Sequence, residues 1–284
     1  MIILSGGGTV GVGAEFVPGL YERFFWSGRT QEPGEPLIVN KASSLTQGLV
    51  FLAYPGGAHW HDLVNGGLAA RAGGSIGNDQ WLVGSTHLRY GYGKGSGDPE
   101  NASYPWAPLM GTITDQCTIA VWLSVSSLQN FSELLCIPYR DGSWTSPFGA
   151  MEFVRNGTTS GCNFTYAASG SQIAVSSDTS MISADNVLRL YMVTRSGATV
   201  TFYKDGFQHG ATKTLGTNSA TDFNGGHPVT LGNRSPSSNG NSMGGTYTMA
   251  GIWNRAYSPN EVALLYLKPL TLLKPRLGEN YGNN

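Results

Sequence analysis

The chain has 284 residues and carries 17 Lys and Arg against 18 Asp and Glu, so only 12% of its side chains are charged and the net charge is −1. Such a balance offers no field for phosphate backbones or anionic lipid, which argues against nucleic-acid and membrane-surface partners. Forty glycines and fourteen prolines beside 40% hydrophobic and 11% aromatic residues predict a turn-rich all-β domain with a real core rather than a disordered chain, and no apolar run approaches the roughly 18 residues needed to span a bilayer.

Residues 1–40 come first. The start, Met1 to Gly8, lacks a basic n-region and a small-residue cleavage site, so no secretory signal is expected. The glycine triplet Gly6 to Gly8 and the Gly-Val-Gly of residues 11–13 precede the aromatic cluster Tyr21, Phe24, Phe25 and Trp26, then Pro33 and Pro36. No helix or strand period is sustained, and such a stretch buries little surface alone. It is expected to be an extended docking arm whose four aromatics meet a partner.

Residues 41–266 are expected to form one body, a size that β-sandwiches reach as a single domain. Leu49 to Ala53 and Thr118 to Val125 are apolar, β-branched or aromatic runs and read as strands, as does the shorter Gln172 to Ser176. Leu188 to Thr194 and Thr199 to Lys204 flank a tight turn at Arg195 to Ala198, and Asp205-Gly206 supplies a second turn straight after. Asn156-Gly157 reads as a two-residue hairpin turn for the same reason. Only Ser258-Pro259-Asn260-Glu261 has helix grammar: Ser as N-cap, Pro at the first helical position and Glu closing a capping box. A short helix of two or three turns should follow.

The tail, residues 267–284, holds Pro269 and Pro275, which deny a long helix, and apolar Leu270, Leu272 and Leu273, which need a surface to rest on. It is expected to be a second docking arm. Cys117, Cys136 and Cys162 are odd in number and lack CxxC spacing, so free, mostly buried thiols are expected rather than disulfides or a zinc site.

Thr246 to Tyr266 (TYTMAGIWNRAYSPNEVALLY) resembles the closing signature of the concanavalin A-like, laminin-G-like jelly-roll superfamily. Leu49 to Ala53 with Asp62 to Gly67 resembles its opening strand and Asp/Gly loop; Thr118 to Leu123, Thr201 to Gly206 and Val229 to Asn233 resemble three further strands, in the family's order. The resemblance implies an all-β, two-sheet antiparallel β-sandwich of the concanavalin A-like jelly-roll type, with one short C-terminal helix and extended terminal arms. The unsignalled start, Leu45 to Val50 leading into the domain, and the Pro/Arg-ended tail also resemble such domains in tailed-phage structural genes. That implies a virion protein made in the host cytoplasm, acting in head decoration or tail or fibre attachment. Its partners would be other capsid or tail proteins, and it would be a homo-oligomer.

Glucanases of this fold cleave with two carboxylates about 5 Å apart on one strand. The only acidic pair at alternate positions is Asp98 and Glu100, split by Pro99 in a Gly/Ser-rich stretch, where a rigid dyad is not expected. No enzyme activity is therefore expected. Glycan binding would use aromatic platforms with polar neighbours, because a pyranose face is apolar and its rim hydroxylated. Tyr104, Trp106, Tyr139, Arg140, Asp141 and Trp144 are the candidates for a surface glycan, set against loop-packing or interface roles for the same aromatics. His59 and His61 beside Asp62 could ligate a transition metal or simply line a strand end. Asp62 and Asn65 are the candidate Ca²⁺ ligands, the alternative being that Asp62 caps its own turn.

Overall fold

The computed structural model describes residues 37–56, 59–67, 70–72, 88–90, 101–104, 111–127, 133–137, 151–155, 160–168, 171–215, 229–232 and 244–275. In chain order the strands are β1 (Leu37–Val39), β2 (Leu49–Gly56), β3 (His59–Asp62), β4 (Ala70–Ala72), β5 (Leu88–Tyr90), β6 (Asn101–Tyr104), β7 (Gln116–Ser127), β8 (Glu133–Ile137) and β9 (Met151–Arg155). They continue with β10 (Cys162–Ala168), β11 (Ser171–Ser176), β12 (Leu188–Ser196), β13 (Thr199–Lys204), β14 (Phe207–Gln208), β15 (Lys213–Thr214), β16 (Val229–Leu231), β17 (Gly244–Trp253) and β18 (Leu273–Pro275). One α-helix, α1 (Pro259–Leu267), follows β17.

The strands form a nine-stranded sheet, ordered β14-β13-β12-β7-β17-β2-β3 with β15 on β13 and β5 on β17, and a seven-stranded sheet, β11-β10-β9-β8-β16-β6-β4. The two sheets are the antiparallel sandwich that the sequence implies. Its core holds Ile119, Val121 and Leu123 of β7 and Tyr191 and Val193 of β12 against Phe153, Phe164, Tyr166 and Leu231 of the smaller sheet. Phe153 and Phe202 bring their rings within 6.4 Å across the two sheets.

The nine-stranded sheet has a second apolar face. The residues between the core positions, Ala120 and Trp122 of β7, Leu190 and Met192 of β12, Leu52 of β2 and Trp253 of β17, pack with Leu45, Val262, Leu265, Leu272 and Leu273. Strands buried on both faces lose the apolar/polar alternation and read as continuous apolar runs, which is why Thr118 to Val125 reads as unbroken hydrophobe. Trp253 donates from Nε1 to the Leu45 carbonyl at 2.8 Å and its ring lies tilted against that of Tyr257, centroids 5.0 Å apart. A layer of α1, a 3-10 turn (Pro269–Leu272) and the two-stranded ribbon β1-β18 therefore covers the outer side of this sheet.

That layer corrects the reading of the C-terminal tail. Leu272 and Leu273 are buried and Leu270 is packed against the same cluster, so these three residues dock on their own body and not on a partner. Pro269 and Pro275 do stop the helix, but β18 then pairs with β1, Leu37 opposite Pro275 and Val39 opposite Leu273, and Asn40 N–H donates to the Leu272 carbonyl at 2.8 Å. The surface those leucines need is the second face of the sheet, and the body runs from residue 37 to residue 275 rather than from 41 to 266.

Local sequence signals act where expected. Ser258 caps α1, its Oγ accepting from Glu261 N–H at 3.4 Å while Glu261 Oε2 accepts from Ser258 N–H at 2.9 Å. Gly197 at φ +61 starts the β12-β13 turn, the position glycine takes in a type II′ loop. Asp205 and Gly206 both have positive φ, +52 and +84, as the type I′ turn between β13 and β14 requires. Tyr266 lies over this turn, and a Cβ on Gly206 would come within 2.8 Å of it. Asn156 and Gly157 lie outside the described residues; the strands on either side, β9 and β10, pair antiparallel with Arg155 opposite Cys162. Cys117, Cys136 and Cys162 are buried and form no disulfide with one another. No helix among the described residues is long and apolar enough to cross a membrane.

Candidate functional site

Register places several chain segments at one end of the seven-stranded sheet. Tyr104, the last residue of β6, pairs with Val229, the first of β16. Thr230 pairs with Cys136 of β8, so Ile137 closes β8 at the same level, opposite Met151 at the start of β9. Segments 105–110 and 138–150 thus leave the sheet from the same end, two strand spacings or about 10 Å apart. Ala70 opposite Ser103 brings β4 in from that end as well.

Those two segments carry Trp106, Tyr139, Arg140, Asp141 and Trp144, which lie outside the described residues. Their strand roots are described, and they are neighbours. Tyr104 differs from the rest of the candidate set: it is the register partner of Val229, a core residue, so position 104 belongs to a core-facing row. Facing pairs share one side of a sheet.

The outer face of this sheet is closed along its centre and open at its edge strand β11, where Ala174, opposite Thr165, is exposed. Thr165, Cys136 and Thr230 stand on one row through Glu152 and are at most 2% exposed.

Asp62 and Asn65 reach the same end from the other sheet. Asp62 ends β3, beside Ala53 of β2, and the chain from there enters β4 at Ala70. Its carboxylate is buried and already engaged: Oδ1 accepts from the N–H groups of Leu52 (3.3 Å), Val64 (3.0 Å) and Asn65 (3.4 Å), and Oδ2 from Asn65 Nδ2 at 2.5 Å. Asn65 Nδ2 also donates to the Val50 carbonyl at 3.0 Å. Gly66, at φ +75, supplies the left-handed residue that closes the loop. Burial pushes the Asp62 carboxyl above its ordinary value near 3.8, against the pull of these donors. The arrangement is a turn cap tying the loop to β2, and a cation on Oδ2 would first have to displace the Asn65 amide. His61 is half-buried beside it. Among the described residues no three His, Cys, Asp or Glu side chains gather as metal ligands would.

Sequence reasoning missed Arg195. It is fully buried, its guanidinium 3.9 Å from the centre of the Tyr166 ring in the opposite sheet. Nε donates to the Gly197 carbonyl at 3.0 Å and Nη1 to the Thr114 carbonyl at 3.4 Å. One cation thus ties the β12-β13 turn, the approach to β7 and the smaller sheet together at the candidate end. A charged residue closing an apolar strand ordinarily reads as exposed, and nothing in the local sequence signals the tyrosine that faces it.

Residues 98–263, more than half of the chain, match the laminin G family described as the concanavalin A-like lectin/glucanases superfamily, and the chain belongs to that superfamily. The binding domain of a Paraclostridial mosquitocidal protein superposes with a TM-score of 0.53 at 17% identity, over 78% of this chain and 52% of that one. A Trypanosoma rangeli sialidase solved in complex with sialic acid gives 0.51 at 17% identity, over 79% of this chain and 33% of that one. A carbohydrate-binding module of a Ruminococcus gnavus sialidase, bound to α2,3-sialyllactose, gives 0.46 at 11% identity, over 58% and 92%. At such identities the likeness is one of fold. No protein of curated function matches the sequence.

Proposed function

We propose that this protein is a non-catalytic, lectin-like glycan-binding module whose site is the sheet end rooted at Tyr104, Ile137 and Met151. The observation that carries the reading is the register. It roots the segments bearing Trp106, Tyr139, Arg140, Asp141 and Trp144 about 10 Å apart on a rigid antiparallel sheet. On this reading the aromatic residues take the apolar side of a sugar, and Arg140 and Asp141 take its hydroxyl rim. Membership of a superfamily of lectins and glucanases agrees with sugar as the ligand class, and the lack of a strand-borne E-x-D-x-E sequence favours binding over hydrolysis.

The finer reading, a virion protein in which this module faces the host surface, has the sequence resemblance to phage structural genes as its support. The folded-back tail removes one of the two arms on which it would dock.

A glycan array probed with the full chain tests the proposal. Binding to at least one glycan class is expected, weakened tenfold or more by Trp144→Ala or Trp106→Ala, with the bound glycan recovered uncleaved. A flat array, or binding indifferent to both substitutions, overturns the site.

A further inference from the structure

Four large hydrophobic side chains are exposed among the described residues: Ile38, Phe207, Leu264 and Leu267. All four sit on the outer layer or on the strand it touches. Leu264 and Leu267 are three apart on α1 and share its outer stripe; Phe207 is in β14, against which α1 packs; Ile38 is in β1, opposite Lys274. Leu267 is 59% exposed and Phe207 66%. α1 is thus apolar on its inner face, through Val262 and Leu265, and on its outer stripe too. A helix that is hydrophobic all round is one that something covers on both sides.

We propose that the aromatic segment at residues 20–26 of this same chain folds back onto that stripe and packs on Leu264, Leu267 and Phe207. Leu20, Tyr21, Phe24, Phe25 and Trp26 fall within seven positions, which hold four of the five aromatic residues before β1. The chain joins the body at Leu37, in the ribbon that lies on the same outer side of the sheet as α1. From Leu37 back to Trp26, extended chain reaches up to about 36 Å, against a helix length of about 13 Å, so the segment can cover α1 without leaving that side. Charge agrees: Glu15, Glu22, Glu32 and Glu35 outnumber Arg23 and Arg29 in residues 1–36, while exposed Lys268 and Lys274 border the stripe. A tether this short gives an effective concentration in the millimolar range, which favours the contact within one chain over the same contact between two chains at micromolar concentration.

The test places photoreactive benzoyl-phenylalanine at position 25 of the full chain and irradiates at low micromolar concentration. Cross-links from position 25 to residues 264–268 or to Phe207 within single chains are expected. Cross-links found only between two chains, only elsewhere, or not at all overturn the proposal. A second measurement uses Leu267→Asp with Phe207→Ser, both on exposed side chains, so that the circular dichroism of the body should be unchanged. Tryptic cleavage after Arg23 and Arg29 is expected to accelerate about tenfold, because cleavage follows the open population when closing is fast. An unchanged cleavage rate overturns the proposal as surely as a missing cross-link. The outcome is independent of glycan binding, which is read at the other sheet.

Discussion

The two sheets of this sandwich do different work. In the nine-stranded sheet the central strands β7, β12 and β17 are buried on both faces, so almost every residue along them is a packing residue and the run Thr118 to Val125 admits no charge. The seven-stranded sheet has one packed apolar face and an outer row of Thr165, Cys136 and Thr230, and its strands are short and separated by long connections. The first is a scaffold made rigid from both sides. The second roots residues 105–110 and 138–150 at one end of its strands, and connecting segments held on a rigid scaffold are where binding residues tend to concentrate.

If the larger sheet is a true middle layer, side chains on its outer face should matter as much as those in the sandwich core. Trp122→Ala should cost about 3–5 kcal/mol, comparable to Phe164→Ala across the core, measured by urea unfolding. A loss under about 1 kcal/mol would reduce the outer layer to a loose cover. Leu272→Ala sharpens the same point for the tail, with an expected loss of about 2–4 kcal/mol. A tail that docks on a partner would instead leave the unfolding midpoint of the isolated chain unmoved.

A smaller effect tests how the layer is pinned. Glu261 is pushed up by burial, but its bonds to Arg255 and to the Ser258 backbone and hydroxyl outweigh that and hold its carboxyl below the ordinary value near 4.5. Arg255 Nη2 lies 2.7 Å from Glu261 Oε1, and the guanidinium stacks 4.5 Å above the Tyr257 ring. A carboxylate with a depressed folded pKa stabilises the fold above its unfolded value, and that contribution disappears as pH falls through the folded value. The native chain should therefore exceed Glu261→Gln by about 0.5–1 kcal/mol at pH 6, with the gap closing below pH 4.5. A gap that persists at about pH 2 would assign the effect to packing and not to charge.

Much of this was legible along the chain. Ser258 to Glu261 specifies its helix start through contacts within four residues, and Asp205-Gly206 specifies its turn because both positions need positive φ. For Asp62 the Asp/Gly pattern left a Ca²⁺ ligand and a turn cap both open, and the hydrogen bonds to Leu52, Val64 and Asn65 show the cap. Arg195 was not legible, since its partner Tyr166 sits in another strand of another sheet, and neither was the common end at which β6 and β8 stop, which depends on β16 arriving between them. The tail misled because Leu270, Leu272 and Leu273 show that a surface is needed without showing whose.

By itself the sequence determined what is settled by neighbours in the chain: the all-β class, the capped helix, the hairpin turns and the apolar runs, because backbone sterics and short-range hydrogen bonds act within a few residues. Tertiary structure decided what depends on pairing between distant strands. Which face of the larger sheet the tail would cover, at which end of the smaller sheet β6 and β8 would both stop, and which arginine would be buried all follow from long-range register, and register is fixed only when both apolar faces find their partners.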